Sequence, residues 1–223
     1  MNDNSSDNNR KKTNSSAKRK LIVIIFAILG VMIVLIGISF IIDAVDKKES
    51  DETEIDYNFY PVDYEENIFD DPKYVELTTG QFIMYTDSTT NVSLGITQDN
   101  AKEQGSEVKF LVDMIYDIIY GDAEAYNSRF SSKYYETHLP KENFTMQKIY
   151  DIRITFVSKS DEMENNDDYT KSQYCVEYKI YENNGSFRRD IGSGSKKQYF
   201  TLNTYSDGTI LIYNISTVNI IRK

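Results

Sequence analysis

The sequence predicts an α+β protein: a single N-terminal transmembrane helix, then an external domain of two helices packed on a curved antiparallel sheet. Three observations support this prediction. An apolar run without charged residues covers 21–42, apolar residues recur at helical spacing between 99 and 135, and from Tyr150 onward they alternate with polar residues. Helices that precede an antiparallel meander can cover one of its faces, which is the α+β arrangement.

Residues 21–42 form the predicted transmembrane helix, which would hold the protein in the lipid bilayer. At about 1.5 Å per residue the run reaches roughly 33 Å, enough to cross a hydrocarbon core of about 30 Å. A cleaved signal peptide is the alternative, but its apolar core is shorter and Asp43-Ala44-Val45-Asp46 is a poor cleavage site. Gly30, Gly37 and Ala44 would share one helix face, which would permit close contact in a homo-oligomer.

The net charge of −10 is distributed unevenly along the chain. Residues 1–20, which we expect to form a disordered tail, carry six basic and two acidic residues, whereas residues 43–223 carry 19 basic and 33 acidic residues, a balance of −14. Basic flanks remain in the cytoplasm, so we predict a single-pass protein of the cell membrane with a cytoplasmic N-terminus and an external C-terminal domain. A domain of this charge will not bind nucleic acid through its general field.

The cysteine content indicates the kind of cell surface on which the external domain lies. Cys175 is the only cysteine, which excludes an intrachain disulfide. Small external domains in oxidising compartments usually carry several disulfides. We therefore expect the surface of a Gram-positive bacterium rather than that of an animal cell.

Residues 43–77 are predicted to form an acidic linker, and residues 78–223 are predicted to form the external domain. The linker interleaves acidic and aromatic residues, which favours an extended, self-repelling chain. Asp70-Asp71 lacks the spaced oxygen ligands of a calcium loop, so no cation site is assigned there. The domain opens with two predicted strands, at 81–86 and 91–97.

Two helices are expected next, at 99–120 and 122–135. Gly105 weakens the first turns of the first helix, and Gly121 ends it. Asp122 is a natural N-cap for the second helix. Pro140 closes the helical region.

Alternation with a period of two predicts the strands of an antiparallel meander. These strands lie at 150–156, 174–180, 187–191, 199–205 and 209–215. A polar loop is expected at 158–168, and Asn183-Asn184-Gly185 is a hairpin signal. Ser206-Asp207-Gly208 predicts the last turn.

The order of these elements resembles the nuclear-transport-factor-2-like (cystatin-like cone) superfamily. The residues that carry the resemblance are 121–126, Phe130-Ser131 and 207–212, and the likeness covers about residues 100–220. The resemblance implies a cone with an interior pocket. In enzymes of this fold, an Asp, His or Tyr side chain in that pocket acts on a proton. The layout is also similar to that of the bitopic scaffold proteins of type IV secretion and of Gram-positive conjugative elements. These proteins too have a basic tail, one transmembrane span, a linker and such a cone.

No catalytic, cofactor or metal site is predicted. His138 is the only histidine and follows a helix, where solvent or carbonyl contacts are expected. Without paired histidines or cysteines there is no zinc pattern, and GxSxG, P-loop and GxGxxG motifs are missing from the sequence. Gly192-Ser193-Gly194 lies between predicted strands and does not open a helix, so a hairpin loop is expected there. Cys175 lies in a predicted strand, out of phase with the apolar residues and with no histidine partner in view, so a catalytic thiol is not expected.

These observations favour a non-catalytic, membrane-anchored extracytoplasmic domain that binds or assembles with other proteins. Two alternatives remain open: a scaffold subunit of a conjugation or type IV secretion channel, and a small-molecule-binding or enzymatic cone. An open pocket with converging acidic residues near His138 or Tyr126 would favour ligand chemistry. An interior filled with Tyr, Ile and Phe would favour a scaffold.

Overall fold

The computed structural model describes residues 57–164 and 167–219. The predicted tail, the predicted span and the linker up to residue 56 lie outside these ranges. Within them, the structure contains no helix that is both long and apolar enough to cross a bilayer.

Six strands of the described chain form one curved sheet in the order β2-β1-β3-β4-β5-β6. The strands are β1 (Ile83–Asp87), β2 (Val92–Ile96), β3 (Ile149–Glu164), β4 (Asp167–Ile180), β5 (Gln198–Tyr205) and β6 (Ile210–Ser216). All neighbours pair antiparallel except β1 and β3, which are parallel. The sheet is therefore mixed, and the prediction of an antiparallel sheet is wrong at this pair. A long helical connection separates β1 and β2 from β3, which allows parallel pairing.

Four α-helices are present in the described residues, namely α1 (Pro72–Thr78), α2 (Ser106–Tyr120), α3 (Ala123–Ser128) and α4 (Ser132–Tyr135). Leu111, Met114 and Ile115 of α2 are fully buried and belong to the same core cluster as Ile154 of β3 and Leu202 of β5. The core therefore lies between α2 and the sheet, as expected for an α+β domain.

The predicted first helix is divided at Gly105. A 3₁₀ turn occupies Ala101–Gln104, and α2 begins only at Ser106 because Gly105 has φ of +114°, which a helix interior cannot contain. The expected end is confirmed: Gly121 has φ of +71° and its N–H donates to carbonyls of the last turn. Asp122 caps α3 by accepting a 2.8 Å hydrogen bond from Ala125 N.

The predicted second helix is also divided, here by contact with the sheet. Ser131 N donates to Ile212 O at 3.0 Å, and Ile212 N donates to Arg129 O at 2.8 Å. This pairing draws Arg129–Ser131 into a bridge along β6, so the helical backbone cannot continue through it. The chain resumes as α4 after the N-cap Ser131.

The packed domain begins before the predicted boundary at residue 78. Ile68 and Tyr74 are buried, and the Tyr74 hydroxyl donates to Ile149 O at 2.9 Å. Asp71 caps α1 through Lys73 N at 2.9 Å. Residues assigned to the acidic linker thus belong to the core and to α1.

The polar loop expected at 158–168 is instead mostly strand. β3 and β4 remain paired from Ser158 opposite Gln173 to Glu164 opposite Asp167. Polar cross-strand contacts support this extension, including the Thr170 hydroxyl, which donates to Asp161 at 3.1 Å.

The strand predicted at 187–191 is absent from the described structure, where residues 181–197 form a loop. The side chain of Asn183 holds this loop by donating to Arg188 O at 3.1 Å and to Ile191 O at 2.7 Å. Phe187 and Arg188 are adjacent and both buried, which a strand with one buried face does not allow. Phe187 and Ile191 anchor the loop, since both belong to the buried core cluster.

Candidate functional site

A cavity of about 460 Å³ lies where the 181–197 loop meets α3 and the ends of β4, β5 and β6. Its walls include Tyr126, Tyr178, Phe187, Arg188 and Phe200. We call this feature the Arg188 cavity.

Arg188 lines the cavity and is only 5% exposed. Its guanidinium donates to both carboxylate oxygens of Asp190, at 2.8 and 2.6 Å, and to Gln198 Oε1 at 2.8 Å. Burial alone would lower the pKa of Arg188, but the bonds to Asp190 raise it above its ordinary value. The same bonds hold the pKa of Asp190 below the ordinary value. Both groups are therefore ionised at neutral pH.

Two further cations border the Arg188 cavity. Lys141 Nζ donates to Phe187 O at 2.7 Å and lies 5.1 Å from the centre of the Phe187 ring. Arg189 Nε donates to Gly185 O at 3.4 Å. With Arg188, these residues give the lining three positive charges against the single negative charge of Asp190.

The tyrosines of the cavity can donate hydrogen bonds but cannot act as bases at neutral pH. Burial raises the pKa of both Tyr126 and Tyr178. The ring of Tyr126 packs edge-on against Phe187 at 5.3 Å between centroids, and Arg188 lies 5.5 Å from the centre of the Tyr178 ring. These contacts fix the walls and suit non-covalent binding.

His138, Cys175 and Asp71, which the sequence analysis considered for catalysis or cation binding, do not form a common site. His138 is exposed and stacks on Tyr134 at 4.2 Å. Cys175 is buried in β4, opposite Tyr199, and burial raises the pKa of its thiol. Asp71 caps α1 and pairs with Lys148 at 3.0 Å. Across the described residues, no three His, Cys, Asp or Glu side chains are grouped so as to hold a metal.

A second feature is an exposed groove of about 260 Å³ between α1, the start of β1 and the end of α2. Phe69, Phe82 and Tyr120 border it and are 45%, 58% and 54% exposed. The Phe69 and Tyr120 rings lie 5.9 Å apart, and Tyr120 lies 6.1 Å from Tyr116. We call this feature the aromatic groove.

Local structure explains why these rings remain at the surface. Phe69 lies in a 3₁₀ turn capped by Asn67, whose side chain accepts from Phe69 N at 3.3 Å. Phe82 covers Gly95 of β2, where an added Cβ would lie 2.9 Å from Phe82 Cβ. Tyr120 is the last residue of α2, so its ring is presented at the helix end.

Sequence reasoning missed Arg188, because it fell inside a predicted strand. The signal available was the adjacent pair Arg188-Arg189, two neighbouring bases in a domain whose net charge is negative. The sequence holds 18 tyrosines and 11 phenylalanines, but no local pattern shows which of these rings remain exposed around the aromatic groove. No family model, curated protein sequence or solved structure matches this chain.

Proposed function

We propose that the protein is a membrane-anchored, extracytoplasmic, non-catalytic domain that binds another protein at the cell surface. The observation that supports this most strongly is the aromatic groove. Adjacent exposed aromatic rings around a concavity are the kind of surface that carries binding energy at protein interfaces.

The charge of the domain indicates the chemistry of the partner. Residues 43–223 carry a net charge of −14. Asp70, which follows Phe69 in the sequence, and Glu76 of α1 are both exposed. A second copy of the same domain would be repelled, whereas a basic surface would be attracted. We therefore propose a partner that places an apolar side chain, flanked by lysine or arginine, in the groove.

The chemistry of the interior supports a non-catalytic role. Asp190 is the one carboxylate of the Arg188 cavity lining, and it is bound to Arg188 on both oxygens. A general base needs a free group that can accept a proton near neutral pH. Most of the remaining interior is apolar, as in a scaffold.

Site-specific photocrosslinking in intact cells tests the proposal. A benzophenone amino acid at Phe82 should give an adduct with a second, basic protein, and the same probe at the exposed Leu139 should not. Tyr120→Ser should abolish the Phe82 adduct, while the control Leu139→Ser should leave it unchanged.

Two results would contradict this function. An adduct of twice the protein's own mass would show self-association through the groove instead of a different partner. Equal adducts from both probe positions would show that the groove has no special role.

A further inference from the structure

We propose that the Arg188 cavity binds an organic anion, an acidic group attached to an aromatic or apolar body. This site is separate from the aromatic groove and does not depend on the proposed protein-binding function. Its evidence is a buried cation, an excess of positive charge and aromatic walls, all within one cavity.

The charge of the cavity is opposite to that of the surrounding chain. Lys141, Arg188 and Arg189 line it with Asp190, a net charge of +2, whereas residues 43–223 together carry −14. Positive charge in a concave, partly desolvated site interacts with an anion far more strongly than it does on an open surface. The cavity therefore selects negative ligands from a protein that otherwise repels them.

Asp190 does not cancel this positive charge. Its carboxylate is shared between Arg188 and Lys196, whose Nζ lies 3.6 Å away. Lys141 and Arg189 are bonded to backbone carbonyls of the loop, which orient them without neutralising them. An incoming acidic group would meet cations whose positions are already set, which lowers the entropic cost of binding.

The walls define the rest of the ligand. Tyr126, Phe187 and Phe200 supply aromatic surface, and the hydroxyl groups of Tyr126 and Tyr178 remain protonated and can donate. A volume of about 460 Å³ lies within the usual range of roughly 300–1,000 Å³ for small-ligand pockets. A single-ring carboxylic acid fits this description.

Fluorine NMR of the full chain in lipid nanodiscs tests the assignment. The probes are 4-fluorophenylacetate and its neutral isostere 4-fluorophenylacetamide, with empty nanodiscs correcting for partition into lipid. We expect the acid to bind at least about tenfold more tightly than the amide. Acetyl-Gly-Phe, added as a competitor, tells whether a peptide C-terminus also fits: displacement shows that the cavity accepts such an end, and persistence of the signal restricts the cavity to small free acids.

Two matched double variants separate the effect of the charges in the Arg188 cavity from the effect of the overall charge of the protein. Lys141→Gln with Arg189→Gln, both at exposed positions, should weaken binding of the acid by at least about tenfold. Arg153→Gln with Lys159→Gln removes the same charge from exposed positions outside the cavity and should change affinity less than about twofold. Equal affinity for acid and amide, equal weakening in both double variants, or no binding by about 10 mM would overturn the proposal.

Discussion

Two buried cations, Lys148 and Arg188, have different surroundings in this domain. Lys148 is 7% exposed and pairs with three carboxylates: Glu66 at 2.7 Å, Asp71 at 3.0 Å and Glu182 at 3.0 Å. Arg188 is 5% exposed and pairs with one carboxylate, Asp190. The first cation is surrounded by an excess of acid, and the second faces a cavity with an excess of base.

The difference separates a structural cation from a binding one. Glu66 and Asp71 come from the segment that leads into α1, and Glu182 comes from the start of the 181–197 loop. One ammonium, next to the start of β3, therefore joins two segments that are distant in sequence. All three N–H donors of Lys148 are matched by carboxylates. Arg188 has its acidic partner only two residues away, in the same loop, and it also donates to the neutral side chain of Gln198 at the start of β5. We infer that Lys148 serves stability, whereas Arg188 is positioned to serve binding.

The largest expected effect is on Lys148. Lys148→Met would leave Glu66, Asp71 and Glu182 close together without their cation, so we expect unfolding to become easier by about 3 kcal/mol. Urea unfolding of the full chain in detergent, followed by near-ultraviolet circular dichroism of its tyrosines, measures this loss.

A matched lysine provides the control for this variant. Lys179 lies 3.2 Å from Asp151 and 5.9 Å from the Tyr150 ring, but its side chain is more exposed. Lys179→Met should therefore cost no more than about 1 kcal/mol. Equal losses in the two variants would remove the structural distinction that we draw for Lys148.

A smaller loss of stability is expected at Arg188. Arg188→Met removes charge-assisted hydrogen bonds worth about 2 kcal/mol, but Asp190 lies at the rim and can turn to water. The same variant should abolish binding of 4-fluorophenylacetate, whereas Lys148→Met, studied where it remains folded, should retain it. If both variants kept the ligand, Arg188 would be a structural cation like Lys148.

The smallest expected effect is in the pH dependence of stability. Hydrogen bonds from Lys148 lower the pKa of Asp71, and those from Arg188 lower the pKa of Asp190, in both cases below the ordinary value of 3.8. In acid, the unfolded chain therefore binds more protons than the folded chain. The stability that these two ion pairs contribute is complete above the unfolded-state pKa, and it is lost as the pH falls through the lower pKa values of the folded state.

Urea midpoints between pH 7 and pH 2.5 measure this dependence. The wild-type midpoint should fall in acid, and Asp190→Asn should flatten the fall slightly. Lys148→Met should flatten it more, since it removes the cation that lowers the pKa of Asp71. Parallel curves for all three proteins would show that these pairs do not govern acid stability.

Several elements were predictable because their causes are local. The end of α2 at Gly121 and the cap at Asp122 follow from backbone geometry within a few residues. The β1–β2 and β5–β6 hairpins follow from alternation and turn residues. An alanine at 121 would be doubly unfavourable, since its Cβ would lie 2.8 Å from Met146 N and the residue has positive φ.

Other elements were not predictable because distant contacts decide them. The 187–191 segment has the apolar content of a strand, yet Asn183 and the ion pair between buried Arg188 and exposed Asp190 hold it as a loop. α1 lies in an acidic stretch that resembles a linker, and it folds because Tyr74 reaches Ile149, 75 residues away.

By itself, the sequence determined the α+β class, the turn and cap positions, and the separation of charge between residues 1–20 and the rest of the chain. These properties depend on composition and on neighbours within one or two helical turns. Only the tertiary structure decided that Lys148 is surrounded by acids while Arg188 faces a cavity lined by Lys141. Charge pairing in a folded chain depends on which distant segments the core brings together, and no local pattern encodes that choice.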